Sequence, residues 1–418
     1  MTTKRLRAAC LCASGFNLKD VLDVINTIRF ERESDIFTIT KFYEDLLMRM
    51  GNENRSAGEF HTPRTVTRFM VDVIDPQIGE TIYDPATGSA GFLAQTFQYM
   101  QPKAQTVEGH IFLQQHAFHG TEKKGLSFLL GTMDMVLHGV VSPNIQRGNT
   151  LEEDVKQGGG KRYDVILTNP PFGGTEGRHI QQNFAVQANA TELLFMQHLI
   201  KKLKKTPNAR CAVVVPEGTL FHGGAFAQVK KDLLDPFHLY AVVSSPPGTF
   251  APYSDVKAAL LFFQRPDNVQ VNNPLARDEV WFYEMGLPTK LKRFSKGNPI
   301  GDVDFDEARE QWQQWRDYLC GEIQRPFGFS ETLREHWQTW EQPEETAWPK
   351  PPYTTWVEEI DALKGREYNL STRNPNQDER VKLPRPAEIT ASLLERTREF
   401  QSTLLNLHEM LGNKEGCG

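Results

Sequence analysis

A strand, a turn of small residues and the start of a helix follow one another in Thr81-Ile82-Tyr83-Asp84-Pro85-Ala86-Thr87-Gly88-Ser89-Ala90-Gly91-Phe92-Leu93. This order is typical of the nucleotide-binding corner of a doubly wound α/β sheet, in which a ligand lies outside the carboxyl ends of the strands. Gly88 and Gly91 allow the backbone to approach a ligand closely. The segment therefore predicts a Rossmann-like sheet with a ligand site at this turn.

The chemistry of the turn favours S-adenosylmethionine as that ligand. The glycine spacing differs from Gly-x-Gly-x-x-Gly and no Gly-Lys-Ser/Thr follows, so neither a dinucleotide pyrophosphate nor a P-loop phosphate is the natural fit. Asp84 would repel phosphates but could hold an ammonium, and S-adenosylmethionine has an α-amino group and no phosphate. We expect Asp84, Ala86, Thr87, Gly88 and Gly91 to bind this cofactor. The alternative is a tight strand-to-helix turn without a ligand.

A second informative segment, Asn169-Pro170-Pro171-Phe172, follows an apolar run at residues 164–168 that is typical of a buried strand. The Asn169 side-chain oxygen and the Pro170 carbonyl could each accept a hydrogen bond from one N–H of an exocyclic amine. Two such acceptors favour a pyramidal nitrogen with a free lone pair, which stabilises the transition state for attack. The prolines stiffen the loop, and Phe172 offers a flat face to a planar ring. The alternative is a proline-rich turn in which Asn169 bonds its own backbone.

Together these two segments resemble the amino-group DNA methyltransferases, and more closely the modification (M) subunits of type I restriction-modification systems. The resemblance covers roughly residues 40 to 412. Four further segments contribute to it: Gly58-Glu59-Phe60-His61-Thr62-Pro63-Arg64, Asn189-Ala190-Thr191-Glu192-Leu193-Leu194-Phe195, Pro247-Gly248-Thr249-Phe250-Ala251-Pro252-Tyr253 and Tyr368-Asn369-Leu370-Ser371.

The resemblance implies site-specific transfer of a methyl group from S-adenosylmethionine to N6 of an adenine in DNA. The target adenine must leave the base stack to reach the cofactor. Phe172 would then stack on it, while Asn169 and Pro170 accept its amine protons.

The resemblance also assigns the loop with Phe60, Thr62 and Pro63 to the cofactor site. There the Thr62 hydroxyl and a backbone N–H would hold the methionine carboxylate. A helix that begins with Thr62 as its N-cap and Pro63 in its first turn is a compatible structural role.

Two polar residues complete the predicted cofactor site. Glu122 ends a predicted strand, where a carboxylate could accept both ribose hydroxyls; a surface glutamate is the alternative. Asn149 matches a family position that often holds an Asp facing the adenine amine, and its oxygen could take this role; the alternative is a loop residue without a ligand. At the position of Lys123, the family often has an apolar side chain that packs against the adenine of the cofactor. Lys123 therefore differs from the family pattern.

We expect three parts in the chain. Residues 1–57 form a helical N-terminal region that is shorter than is usual in the family. Residues 58–285 form the methyltransferase domain, a seven-stranded, mostly parallel, doubly wound sheet. Residues 286–418 form a helical C-terminal extension, whose many tryptophans are expected to pack in a core.

The C-terminal extension also holds a predicted partner-binding helix. Apolar positions recur every three or four residues after Pro386, which predicts a helix over residues 386–412 with one apolar face. The resemblance implies that this helix binds the specificity (S) subunit; docking onto its own domain is the alternative. It further implies DNA, the restriction (R) subunit and a second M subunit as partners. No segment resembles a target-recognition domain, so sequence choice is assigned to another chain.

Composition limits the function classes. The 418 residues carry a net charge of −6, so a protein that grips DNA alone over a broad basic face is not expected. No segment is long and apolar enough to span a bilayer. Five scattered cysteines give neither a disulfide framework nor a zinc pattern, so we expect a cytoplasmic protein and no metal. The lysines at residues 201–205 are expected to form a solvated helix end.

Two other functions stay open at this point. An N-methyltransferase acting on cytosine N4, RNA or a protein glutamine amide could use the same loop. A non-catalytic scaffold of the same fold would bind DNA and partners without transferring methyl groups. Intact Asn169 and Gly88 speak against the scaffold, whereas Lys123 and the short N-terminal region favour it.

Overall fold

Nine strands form one sheet in the part of the chain that the structure describes. The structure is a computed structural model, and it describes residues 62–156, 160–251, 254, 256–266, 278–288, 291–320, 354–372 and 374–375, together with Lys19 and Asp23. The strands are β1 (Ile82–Asp84), β2 (Phe118–Glu122), β3 (Asn144–Arg147), β4 (Val165–Thr168), β5 (Arg210–Pro216), β6 (His238–Ser244), β7 (Ala258–Gln264), β8 (Glu279–Glu284) and β9 (Thr355–Glu359).

The strand order is β3-β2-β1-β4-β5-β7-β6-β8-β9. The five strands from β3 to β5 pair in parallel. β7 lies antiparallel between β5 and β6. The first seven positions in this order form the predicted mostly parallel sheet, so the α/β class is confirmed.

The expected count of seven strands was too low for this sheet. β8 pairs in parallel with β6, and β9 pairs antiparallel with β8. β8 is buried along its middle on both faces and therefore lacks the alternation that marks a half-exposed strand. β9 is an edge strand, and edge strands tolerate charged residues such as Glu358 and Glu359. Because β8 lacks alternation and β9 carries charged residues, the sequence pattern does not predict these two strands.

Helices cover both faces of the sheet. They are α1 (Arg64–Ile74), α2 (Gly91–Met100), α3 (Val107–Gln115), α4 (Gly125–Leu137), α5 (Arg178–Gln181), α6 (Thr191–Lys202), α7 (Gly218–Phe221), α8 (Ala225–Leu234), α9 (Asp306–Leu319) and α10 (Ile360–Gly365). Ala212 and Val214 of β5 face one core with α1, α2 and α9, whereas Cys211 and Val213 face a second core with α6, α8 and α10. This is the doubly wound arrangement.

α1 illustrates how the sequence sets a helix and its limits. Pro63 precedes the first turn, and its carbonyl accepts the N–H groups of Val66 and Thr67. The apolar positions recur at helical spacing and bury one face, through Val66, Phe69, Met70 and Val73. Asp75 ends the helix in the left-handed region, at φ +48°.

The C-terminal extension contributes to the same structure. Trp312 and Trp315 of α9 are buried, and Trp356 of β9 stacks on Phe282 at 5.4 Å between ring centroids. Core packing is thus confirmed for these three tryptophans. β9 joins the sheet from beyond residue 285, while the boundaries at 57 and 285 stay predictions. The regions 1–57 and 386–412 and the residues Trp337, Trp340 and Trp348 lie outside the described residues, apart from Lys19 and Asp23.

The lysine cluster at the end of α6 is not simply solvated. Lys202 is buried and pairs with Glu153. Lys204 pairs with Asp164 at 2.6 Å, N to O. These two lysines therefore stabilise the helix end through carboxylates on neighbouring segments, which the linear sequence does not reveal.

Candidate cofactor and catalytic site

The candidate site lies at the carboxyl ends of three neighbouring strands. β2, β1 and β4 are adjacent in the sheet, and they end at Glu122, Asp84 and, one residue beyond Thr168, Asn169. Glu122 and Asn169 line one cavity of about 270 Å³. Its other walls are formed by Pro85, Ala86, Gly88, Thr121, Lys123, Lys124, Gly148, Asn149, Thr150, Pro171, Glu176, Thr191 and Phe195. This cavity thus brings together six of the predicted site residues: Ala86, Gly88, Glu122, Asn149, Asn169 and Pro171.

The turn after β1 is held against β2 by backbone bonds. Gly88 has φ +54°, a left-handed conformation that suits glycine. Its N–H donates to Glu122 Oε2 at 2.8 Å, and the N–H of Thr87 donates to the carbonyl of Thr121 at 3.1 Å. α2 begins immediately afterwards at Gly91, so its N-terminal N–H groups lie at the site.

Asp84 is buried beneath this turn. Its Oδ1 accepts from the Thr168 hydroxyl at 2.7 Å and from the Ala86 N–H at 3.0 Å. Burial raises the pKa of Asp84 to about 7, and the nearby Glu122 charge adds to the rise, while the two hydrogen bonds oppose it. A cation beside this carboxyl would therefore favour its ionised form.

Glu122 is also fixed by the protein. In addition to the Gly88 bond, its Oε1 accepts from the Lys124 N–H at 2.7 Å. Each carboxylate oxygen has more than one lone pair, so the group retains acceptor capacity towards the cavity that it lines. This geometry suits a ligand diol, as the sequence predicted.

Asn169 is anchored through one end of its amide. Its Nδ2 donates to Thr62 Oγ1 at 3.0 Å, across 107 positions of sequence. Its Oδ1 is buried and has no hydrogen-bond partner among the residues that the structure describes. A buried acceptor without a hydrogen-bond partner raises the free energy of the folded protein. At a cavity wall, such an atom is a candidate acceptor for a donor group of a ligand.

The rest of the loop supports Asn169. Pro170 is buried and Pro171 is exposed at the cavity wall. Phe172 is half-buried, and its ring packs edge-to-face on Phe250 with centroids 6.1 Å apart. Phe250 lies in a loop that the sequence marked only by resemblance, so this contact was missed.

Thr62 belongs to a smaller cavity that adjoins Asn169. This space of about 20 Å³ is lined by Thr62, Asp84, Ala86, Thr87, Gly88, Ser89, Gly91, Phe92 and Asn169. Pro63, rather than Thr62, is the N-cap of α1. The alternative role of Thr62 as the N-cap is therefore wrong. Phe60 lies outside the described residues.

Asn149 lies at the wall of the larger cavity, but its side chain already has a structural contact. Its Oδ1 accepts from the Leu151 N–H at 3.2 Å and starts a short 3₁₀ turn. The following Thr150 donates its hydroxyl to the Pro85 carbonyl at 2.6 Å, which ties this loop to the turn after β1.

The sequence places Lys123 at the cofactor site, but it predicts neither the contact of Lys123 with Glu176 nor the place of Phe195 in the cavity wall. Lys123 approaches Glu176 across the cavity, with Nζ 3.7 Å from Oε1. Phe195 of α6 is buried at the wall and offers an apolar surface. The resemblance marks the segment at residues 189–195, but it does not place Phe195 at the cavity wall.

The described residues include no group of three or more His, Cys, Asp and Glu side chains that could hold a metal ion. Among the helices that the structure describes, none has the length and apolarity needed to cross a membrane.

Comparison with known proteins gives consistent matches. The sequence profile of the family N-6 DNA Methylase matches residues 32–382. The chain is 34% identical to the type I restriction enzyme EcoEI methylase subunit of Escherichia coli, over 96% of this chain and 74% of that protein. It is 32% identical to the StySPI methylase subunit of Salmonella potsdam, over 71% of this chain but 55% of that protein. A chain in a solved structure on the assembly of a type I R-M system is 51% identical, with a TM-score of 0.76 over 97% of this chain and 77% of that one.

Proposed function

Because the chain belongs to the N-6 DNA methylase family and, within it, to the methylase subunits of type I restriction enzymes, we propose that it methylates N6 of adenine in DNA. The observation that carries this proposal is the geometry of Asn169. Its Nδ2 is anchored on Thr62, while its buried Oδ1 has no partner within the described part of the chain. Such an amide is oriented in advance to accept a hydrogen bond from an amine N–H.

The residues present fit S-adenosylmethionine as the cofactor. Asp84 and the N-terminus of α2 flank the smaller cavity, where the methionine ammonium and carboxylate would lie. Glu122 would accept the ribose hydroxyls. The adenine ring of the cofactor would then occupy the larger cavity, which Asn149, Pro171 and Phe195 line. When bound, this cofactor supplies an electrophilic methyl group.

The chain's own groups act on the amine that attacks this methyl. Asn169 Oδ1 and the Pro170 carbonyl would each accept a hydrogen bond from one of the two N6–H groups, which pyramidalises the nitrogen and frees its lone pair. Phe172, braced by Phe250, would stack on the extruded base. No strong base is required, because N6 becomes acidic once the methyl is attached and its proton can leave to water. Positioning supplies most of the rate.

The proposed partners follow from the family. We propose DNA, a specificity subunit bound through residues 386–412, a restriction subunit and a second copy of this chain. The net charge of −6 agrees with a subunit that shares DNA with other chains. A cytoplasmic location stays part of the same proposal.

Single-molecule sequencing of host genomic DNA, with the natural chain and with Asn169→Ala, tests the proposal. We expect N6-methyladenine in a split, two-part sequence motif that disappears in the variant. Adenine methylation that persists in Asn169→Ala would contradict the assigned role of this residue. Absence of adenine methylation with the natural chain would contradict the function. In that case, RNA, DNA and protein are digested to monomers and their methylated products are identified. A methylated cytosine, RNA nucleoside or glutamine would indicate another substrate, and no methylated product would indicate a non-catalytic scaffold.

A further inference from the structure

α4 carries an apolar stripe on the side that faces away from the core. The exposed fractions of Leu126, Leu129, Met133 and Val136 are 55%, 50%, 44% and 52%. Their spacing of three, four and three residues puts them on one side of the helix. We call these four side chains the α4 face. The one charged residue of α4, Asp134, is buried on the other side.

The opposite side of α4 is already engaged. Gly131 packs so closely on the turn after β1 that an added Cβ would lie 2.9 Å from the Gly88 carbonyl oxygen. Asp134 Oδ2 accepts from Arg64 Nη2 at 3.1 Å. The helix therefore cannot rotate to bury the α4 face. A helix that is apolar on all sides is usually covered on all sides, and a continuous exposed apolar surface marks a contact site.

We propose that the chain's own N-terminal segment, residues 18–50, covers the α4 face. The first described residues after this segment lie beside α4, because Arg64 bonds Asp134 and the Gly91 carbonyl. Residues 51–61 form the connection. Eleven residues reach up to about 36–40 Å, which exceeds the helix diameter of about 10–12 Å that the chain must pass.

The sequence of this segment has the required complementary surface. Lys19 and Asp23 are helical, and they form an exposed ion pair at 2.8 Å. At helical spacing, Val21, Val24, Ile25 and Ile28 fall on the side opposite this pair. A second set with the same periodicity follows at Phe42, Tyr43, Leu46, Leu47 and Met50. Each set needs an apolar partner, and the α4 face is an apolar surface that the connection at residues 51–61 is long enough to reach.

Photo-crosslinking of the full chain tests this contact. p-Benzoylphenylalanine is placed at position 129 or 133, and at position 303 as a control, since Val303 is an exposed apolar residue elsewhere in the described chain. We expect links from 129 and 133 to peptides within residues 18–50 of the same chain, with a yield independent of protein concentration, and none from 303.

Three results would overturn the proposal. A linked dimer whose yield rises with concentration would assign the α4 face to a second copy. A link to another subunit of the assembled complex would assign it to a partner. Absence of any link from positions 129 and 133 would leave the face solvated.

A substitution cycle gives an independent test. Leu129→Glu and Ile25→Glu should each make trypsin cleavage after Arg29 and Arg32 about tenfold faster, because a docked segment is cut only when it opens. Val303→Glu should leave the rate unchanged. If the two sites touch, the double variant should be no faster than either single variant. Multiplicative effects, or equal rates for Leu129→Glu and Val303→Glu, would contradict the contact.

Discussion

The two sides of the candidate site differ in how their polar atoms are satisfied. On the cofactor side, both oxygens of Glu122 and Oδ1 of Asp84 accept hydrogen bonds from the chain itself. On the proposed catalytic side, Asn169 Oδ1 is buried and has no partner among the described residues. The proposed cofactor side is thus organised before a ligand arrives, whereas an incoming amine would supply the donor that Asn169 Oδ1 lacks. This difference separates binding from chemistry, and substitutions can test it.

The largest effect is expected on the catalytic side. Asn169→Ala should lower the rate of methyl transfer about 100-fold to 1,000-fold, as the loss of one oriented polar group at a reacting centre typically does. Cofactor affinity should change less than twofold, because Asn169 is not the main holder of the cofactor. Single-turnover kinetics and calorimetry on the assembled complex measure the two quantities. Equal losses of methyl-transfer rate and cofactor affinity would contradict the proposed division of the site into a cofactor side and a catalytic side.

On the cofactor side, Glu122→Ala should reduce both affinity and stability. The buried N–H of Gly88 loses its acceptor, at about 1–3 kcal/mol, whereas the N–H of the exposed Lys124 can bond water instead. Denaturant unfolding without cofactor isolates this structural part, and cofactor titration gives the total. Glu122→Gln, which keeps one acceptor oxygen, should lie between the natural chain and Glu122→Ala. An unchanged stability in Glu122→Ala would show that the bonds of Glu122 are not structural.

The pKa of Asp84, at about 7, predicts a pH dependence with a definite sign. In the unliganded protein, burial favours the protonated carboxyl, so its contribution to stability is present below pH 4 and is lost as the pH rises through 7. A bound ammonium requires the ionised form. Cofactor affinity should therefore increase about tenfold between pH 6 and pH 8. Calorimetry at several pH values measures this, and Asp84→Asn should abolish the dependence. A dependence that survives in Asp84→Asn would point to another group.

The smallest effect tests the link between the two sides. Thr62→Val removes the acceptor that orients Asn169, and one hydrogen bond is worth about 0.5–1.5 kcal/mol. The rate of methyl transfer should fall about twofold to tenfold, and Thr62→Ser should restore most of it. A fall in affinity without a change in single-turnover rate would confine Thr62 to cofactor binding.

The sequence predicts this site well where the information is local. The turn at residues 84–91 and the loop at residues 169–172 each follow a strand, and parallel strands bring their carboxyl ends to one edge. Contacts between distant residues could not be read in the same way. The Thr62–Asn169 bond and the Phe172–Phe250 packing depend on how segments far apart in the chain meet. The raised pKa of Asp84 likewise depends on burial by several segments at once.

The same distinction explains the missing strands. β1 to β7 alternate with helices or turns in a regular order, so the pattern alone predicts them. β9 is separated from its partner β8 by about 70 residues, and its charged end suits an edge but not a central strand. Only the three-dimensional structure shows that it belongs to the sheet.

The position of β9 has a consequence for biosynthesis. β8 carries Val280, Trp281, Phe282 and Tyr283, and one of its edges is closed only by β9. During synthesis, that edge stays open until residues 355–359 have left the ribosome. An unpaired apolar edge invites pairing with other chains. Any premature termination before Thr355 should therefore yield a chain that can hold the catalytic residues and still aggregate in the cell.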